Sequence, residues 1–124
     1  MNRVQRKRVK GYKTPENTKY VGRPTKFGNP FRLTKDGYVQ AYSNNKNIFD
    51  KWIMWSINGG FEQKDIVELY EIWIRGNLQK EHPYLPTPPK LDELKGKNLS
   101  CFCSLNVPCH VDVLLEQLRS GFAK

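Results

Sequence analysis

Three stretches of the chain repeat apolar residues at helical spacing. Phe49, Trp52, Ile53 and Ser56 share one face of a predicted helix that Asn44 or Asn45 can cap and that Asn58-Gly59-Gly60 ends. A second helix is predicted from about Gln63 to Arg75, with Ile66, Leu69, Tyr70 and Trp73 turned inward and Gly76-Asn77 as its stop. Val111, Leu114, Leu115 and Leu118 show the i, i+3, i+4, i+7 pattern of a third. Pro108 suits the first turn of that helix, because its missing N–H would be unpaired there anyway. The aromatic residues in these stripes are read as core.

Between the helices the pattern predicts short strands and turns. Asn98–Cys103, following the Lys95-Gly96-Lys97 turn, reads as a buried strand. Val4–Val9 holds too many charges for a buried strand, but its β-branched ends permit an edge strand, and Lys19–Gly22 is another candidate. Arg23-Pro-Thr-Lys-Phe-Gly-Asn-Pro-Phe31 is a loop, and Asp36-Gly37 marks a turn. His82-Pro83 through Pro89 is a proline-rich connector, extended over the surface, with His82 a surface histidine. Ser104–Pro108 is the loop between the last strand and the last helix. Strand, five-residue loop and helix form the unit from which α/β sheets are built, and in such sheets ligands collect at the carboxyl ends of the strands. A chain of 124 residues is expected to make one α/β domain over 1–124.

Composition narrows the setting. No apolar run approaches the roughly 20 residues of a membrane span, and the charged N-terminus has no apolar stretch behind it, so neither a membrane partner nor a secretory signal is expected. Three cysteines, two of them one residue apart, point to reduced thiols in a cytoplasmic setting. The net charge of +9 is concentrated: residues 1–26 hold nine basic side chains and one acidic one, Glu16. A polyanion is the natural partner for that concentration, since each neutralised phosphate releases counterions. The competing reading is a solvated basic arm that aids solubility and binds nothing specific.

The candidate chemistry lies in Cys101–His110, where all three cysteines and one of the two histidines fall within ten residues. Residues two apart on a strand point to one side, so Cys101 and Cys103 share a face. Cys109 and His110 fall in the first turn of the following helix, where backbone N–H groups favour a thiolate or an anion. Three readings stay open. Cys101, Cys103, Cys109 and His110 can complete a tetrahedral zinc shell. Cys109 can act as nucleophile or phosphate contact, with His110 as acid or base. Or the cysteines are small core residues and His110 bonds locally. The Arg23–Phe31 loop is a second candidate: Arg23 and Lys26 supply charge, Gly28 allows close backbone approach, and Asn29 offers an amide.

The segments Gln5-Arg6-Lys7-Arg8, Lys10-Gly11, Tyr20-Val-Gly-Arg-Pro-Thr-Lys-Phe-Gly-Asn-Pro-Phe31, and Leu94-Lys-Gly-Lys-Asn-Leu-Ser-Cys-Phe-Cys103 followed by Pro108-Cys-His-Val-Asp-Val-Leu-Leu115 resemble the domain-of-unknown-function family four-three-two-six, common in bacteriophages and their hosts. The resemblance spans nearly the whole chain. Two departures are mild: the family often has tryptophan where Phe27 and Phe102 stand here, and a small residue in place of Val111. Since Arg6, Arg8 and Lys10 belong to the family pattern, the resemblance implies that the basic N-terminus is part of the folded domain. The Leu-x-Cys…Cys-His pattern before a helix is also similar to a family of small Rossmann-like proteins, which implies by analogy a Rossmann-like sheet with flanking helices.

Together these readings predict a phosphate-bearing ligand, nucleotide or nucleic acid, in a pocket lined by Arg6, Arg8, Arg23, Lys26, Gly28 and Asn29, with Cys109 and His110 for chemistry. The rival is a non-catalytic phage protein that binds DNA or a host protein, its cysteines holding structural zinc.

Overall fold

The computed structural model describes residues 2–23, 25–43, 52–55, 59–78, 80–103 and 107–120. Among the described residues it is a mixed α/β protein of two three-stranded sheets and two α-helices. The chain forms two compact units, one from Met1–Gly28 with Pro89–Lys124 and the other from Asn29–Pro88.

In the first unit, β1 (Arg3–Gln5) and β2 (Thr18–Tyr20) flank β6 (Asn98–Cys101), and both pairings are parallel. The charged, half-buried β1 and β2 take the edges, and β6, buried from Leu99 to Cys101, takes the centre. The ladder runs on past the strand ends, where the Arg6 N–H donates to the Cys101 carbonyl (2.7 Å) and the Val21 N–H to that of Ser100 (2.9 Å). Helix α2 (His110–Ser120) packs on β6 and β1 through Val111, Leu114 and Leu115, with Leu118 half-buried. It begins two residues after Pro108, so that proline precedes the helix and Cys109 stands at its N-cap. The cap is closed by Asp112, whose carboxylate accepts the Cys109 N–H (3.3 Å) and also holds the Arg3 guanidinium (2.9 Å).

In the second unit, β3 (Phe31–Leu33), β4 (Val39–Tyr42) and β5 (Trp52–Met54) form an antiparallel sheet in sequence order. The β3–β4 turn is the predicted Asp36-Gly37 turn. Gly37 has φ +82° there, and a Cβ on it would come within 3.0 Å of the Gly60 nitrogen. Helix α1 (Gln63–Ile74) packs on β3 with Ile66, Tyr70, Trp73 and Ile74 buried and Leu69 half-buried, so the second predicted helix is present nearly to the residue.

Three expectations are corrected. Residues 52–54 are strand, not the interior of the predicted helix. Trp52-Ile-Met-Trp55 alternates out and in, with Ile53 set opposite the buried Ala41, and this period of two wins over the helical spacing. The remainder of that predicted helix, residues 44–51 and 56–58, lies outside the described residues. His82 is half-buried rather than a plain surface histidine: its ring lies 4.3 Å from that of Trp55, centroid to centroid. The proline-rich connector is likewise docked, with Leu85 buried and the Pro86 carbonyl accepting the Trp73 indole N–H (2.8 Å). Among the described residues no helix is long and apolar enough to cross a membrane.

Candidate functional site

The three cysteines meet at the carboxyl end of β6, where the chain leaves the sheet and returns at the start of α2. Their sulfur atoms lie within 4.8 Å of one another. Cys101 is the last residue of the strand, and Cys103 lies two residues on, in the bend that follows rather than in the strand as predicted. Cys101 Sγ and Cys109 Sγ approach to 2.9 Å, and all three residues are free thiols.

His110 sits beside this cluster without closing it. Its Nε2 lies 2.9 Å from the Val21 carbonyl oxygen, an atom that can only accept, so Nε2 carries the proton. Nδ1 is left as an acceptor 3.6 Å from Cys109 Sγ. The ring is 8% exposed, and burial pushes its pKa below the ordinary histidine value, so it is neutral near neutral pH.

The three thiols are electrostatically unequal. Cys103 is held well below the usual thiol range, because its sulfur accepts hydrogen bonds from Cys101 and then Cys109, with the His110 ring and the Arg3 guanidinium nearby. Cys109 is pushed up by its hydrogen bonds with Cys101 and Cys103 and by burial. Cys101 is also raised, chiefly through its hydrogen bond with Cys103. Cys103 is also the half-exposed member, while Cys101 and Cys109 are buried. Cys103 is therefore the thiol that its neighbours and its partial exposure most favour to ionise. Cys109, the residue singled out from its helix-start position, is buried, with its Sγ against Cys101 Sγ and His110 Nδ1.

The donor set fits a thiophilic cation. Three sulfurs from two elements and the bend between them can be ligands at about 2.3 Å from one zinc-sized ion, and one of the three already has thiolate character. His110 Nδ1 is the nearest candidate for a fourth ligand, although it falls outside the mutually close set.

On the opposite face of the same sheet edge is a cationic and aromatic cluster. Tyr20 ends β2, and Phe102 follows β6, with ring centroids 5.7 Å apart in an edge-to-face pair. The Arg6 guanidinium lies 4.8 Å from the Tyr20 ring centre and 5.6 Å from that of Phe102, and the Arg8 guanidinium is 4.1 Å from Phe102. The Tyr20 hydroxyl donates to the Arg23 carbonyl at 2.7 Å, which holds the loop bearing Arg23 against the cluster. Burial raises the Tyr20 pKa, opposed by the charges of Arg6, Arg8 and Arg23. The Arg6 and Arg8 guanidinium groups thus share one ring pair, and the Arg23 backbone is tied to the same tyrosine.

The other predicted contacts have different neighbours. Lys26 is ion-paired with Glu93 at 2.7 Å, on the surface. Gly28 closes a turn in which its N–H donates to the Thr25 carbonyl (3.0 Å), and a Cβ there would come within 2.9 Å of Arg23 Cγ. Asn29 belongs to the second unit, where its buried amide donates to the Ile66 carbonyl (3.2 Å) and accepts the Phe31 N–H (2.9 Å). Sequence reasoning passed over Tyr20, Phe102 and Arg3. The alternation of Val4, Arg6 and Arg8 against Tyr20 and Phe102 signals the first two only once the strand order is known. Arg3 gives no signal before Asp112 is placed on the facing helix.

No curated protein and no solved structure matches the chain. One family model does, over residues 4–120, from the first strand to the last residue of α2. With nearly its whole length covered, the chain belongs to that family, described as Domain of unknown function (DUF4326).

Proposed function

We propose that this protein binds a phosphate-bearing ligand, a nucleotide or nucleic acid, at the carboxyl edge of the parallel sheet. The observation that carries the reading is the seating of the Arg6 and Arg8 guanidinium groups on the Tyr20–Phe102 ring pair at that edge, with the Arg23 backbone carbonyl held there by the Tyr20 hydroxyl. Guanidinium groups match phosphate in charge and geometry, and half-buried rings offer a base a surface to stack on. Ligands of parallel α/β sheets also gather at this end of the strands. Should the site act on its ligand, Cys103 is the half-exposed thiol at the same strand end, and Cys109 and His110 lie buried beside it. Fluorescence anisotropy with labelled nucleotides and oligonucleotides tests the proposal. Arg6→Ala, Arg8→Ala and Arg23→Ala should each weaken binding by about ten-fold, the worth of one charged hydrogen bond. Unchanged affinity in all three variants would sink it.

A second reading concerns the cysteines. The clustering of three sulfurs within 4.8 Å favours a bound zinc ion that ties the end of β6 to the start of α2. On this reading the protein is a non-catalytic binder of DNA or of a host protein, with the metal structural. Metal analysis of purified protein decides it. Stoichiometric zinc that is lost in Cys103→Ser, together with a cooperative fold, supports a structural ion. Metal-free protein that melts at the same temperature with and without added zinc excludes one.

A further inference from the structure

The three cysteines all belong to the first unit, and they stand at different depths. Cys101, which ends β6, and Cys109, at the head of α2, are buried, whereas Cys103 in the bend after the strand is half-exposed. The interior pair is already in contact, Sγ to Sγ at 2.9 Å, and all three sulfurs lie within 4.8 Å of one another. A disulfide bond is about 2.05 Å long, so a small closing movement would join the interior pair. A bridge from Cys103 to Cys101 would span a single residue, too few for relaxed disulfide geometry. Core packing accounts for two buried thiols. It gives no reason for a third that solvent can reach, set beside both.

We propose that these thiols form a two-electron redox centre, in which Cys103 is oxidised by a hydroperoxide and the oxidation is passed inward to a Cys101–Cys109 disulfide. The inference goes beyond both readings above and concerns the metal-free thiols. A hydroperoxide is small enough to reach a half-buried sulfur, and its O–O bond takes both electrons from that one atom. Cys103 Sγ attacks one peroxide oxygen and an S–O bond forms. The O–O bond breaks, and the departing oxygen leaves as alcohol or water with the thiol's proton. Cys109 Sγ then attacks the sulfenic sulfur: an S–S bond forms, the S–O bond breaks, and water leaves with the Cys109 proton. Last, Cys101 Sγ attacks Cys109 Sγ, its neighbour at 2.9 Å, and Cys103 departs with the Cys101 proton as a free thiol. In sum, two thiols lose two electrons and two protons, and the peroxide becomes one alcohol (or water) and one water. The third thiol has a use in this scheme: it meets the oxidant and is regenerated.

The test treats full-length protein, its zinc content measured beforehand, with a small molar excess of hydrogen peroxide. Free thiols are then blocked, and the unreduced protein is cut with chymotrypsin, which cleaves after Phe102 and Leu105 and so separates the three cysteines. Peptide mapping should find Cys101 joined to Cys109 within one chain and Cys103 alkylated, a loss of two thiols that dithiothreitol reverses. Cys103→Ser should leave the interior pair reduced over the same exposure. Cys109→Ser should stop at a Cys103 sulfenic acid that dimedone traps, and Cys101→Ser at a Cys103–Cys109 bridge. In the wild type, thiols that all stay free, a bridge between chains or at any other pair, or Cys103 carried to sulfinic acid beside an untouched pair would each overturn the proposal. Bound zinc with all three thiols still reduced overturns it in favour of the structural ion. Bridging in Cys103→Ser at the wild-type rate removes the relay. The wild-type map needs no variant, so it decides the matter even where Cys101→Ser or Cys109→Ser does not fold. Nucleotide anisotropy is read separately, so failure here leaves the phosphate reading in place.

Discussion

The His110 ring is buried, neutral and committed at both nitrogens, which makes it sensitive to acid. Because burial lowers its pKa, the unfolded chain takes up a proton near the ordinary value of 6.5 while the folded protein resists it. Its contribution to stability is therefore complete above that value and is lost as pH falls toward the folded pKa. Thermal melts should show the wild type losing stability from about pH 6.5 downward. His110→Gln should be less stable at pH 7.5 by about 1–3 kcal/mol, through the orphaned Val21 carbonyl, but lose less on acidification. Equal pH slopes in the two proteins would mean that another group carries the acid sensitivity. The neighbouring thiols give a second residue-level prediction. In metal-free protein at pH 6.5, iodoacetamide should modify Cys103 first, since it alone combines partial exposure with a lowered pKa. Peptide mapping that finds Cys109 alkylated fastest would contradict the assignment of the thiolate.

Asn29 shows how a residue chosen for function can be occupied by its secondary-structure elements. Its carboxamide bridges the entry to β3 and the middle of α1, bonding the Phe31 N–H and the Ile66 carbonyl at 6% exposure. Asn29→Ala leaves both backbone groups buried and unpartnered by that amide, and should cost about 1–3 kcal/mol in urea denaturation. Nucleotide and oligonucleotide affinities should not change beyond that loss of folded protein. A selective loss of affinity at full stability would restore Asn29 to the ligand site. The surrounding loop was legible in the sequence as a loop because two prolines and a glycine allow little else. The function of its amide was not, because an Asn that orients a ligand and an Asn that ties a strand to a helix carry the same side chain. Elements with one dominant pattern were read well: α1, α2 and the buried β6 stand close to where their patterns put them. Around Trp52, Ile53 and Trp55 two periods coexist in few residues, and only the pairing with β4 selects the strand. The cysteine cluster was legible as a place. The inequality of Cys103 and Cys109 was not, because it depends on which sulfurs the fold buries and brings together.

For the whole molecule the uneven charge makes a quantitative prediction. Of the nine basic residues in 1–26, Arg3 is paired with Asp112 and Lys26 with Glu93. A bound polyanion would find these two charges already neutralised, whereas Arg6 and Arg8 rest on aromatic rings, which hold a guanidinium without cancelling its charge. Each phosphate neutralised releases counterions, so the logarithm of the binding constant should fall linearly with the logarithm of salt concentration, by about 0.7 for each contact to a single strand. Replacing Arg6 or Arg8 by Ala should reduce that slope by about one contact, while Lys26→Ala should leave it nearly unaltered, because Glu93 had already taken that charge. Equal reductions for all three substitutions would show that total charge alone governs binding and that the arrangement at the sheet edge is incidental. A slope near zero for the wild type would remove the polyanion altogether. The experiment thus separates a basic protein that adheres to nucleic acid from one whose strand ends hold particular arginines where a phosphate backbone can meet them.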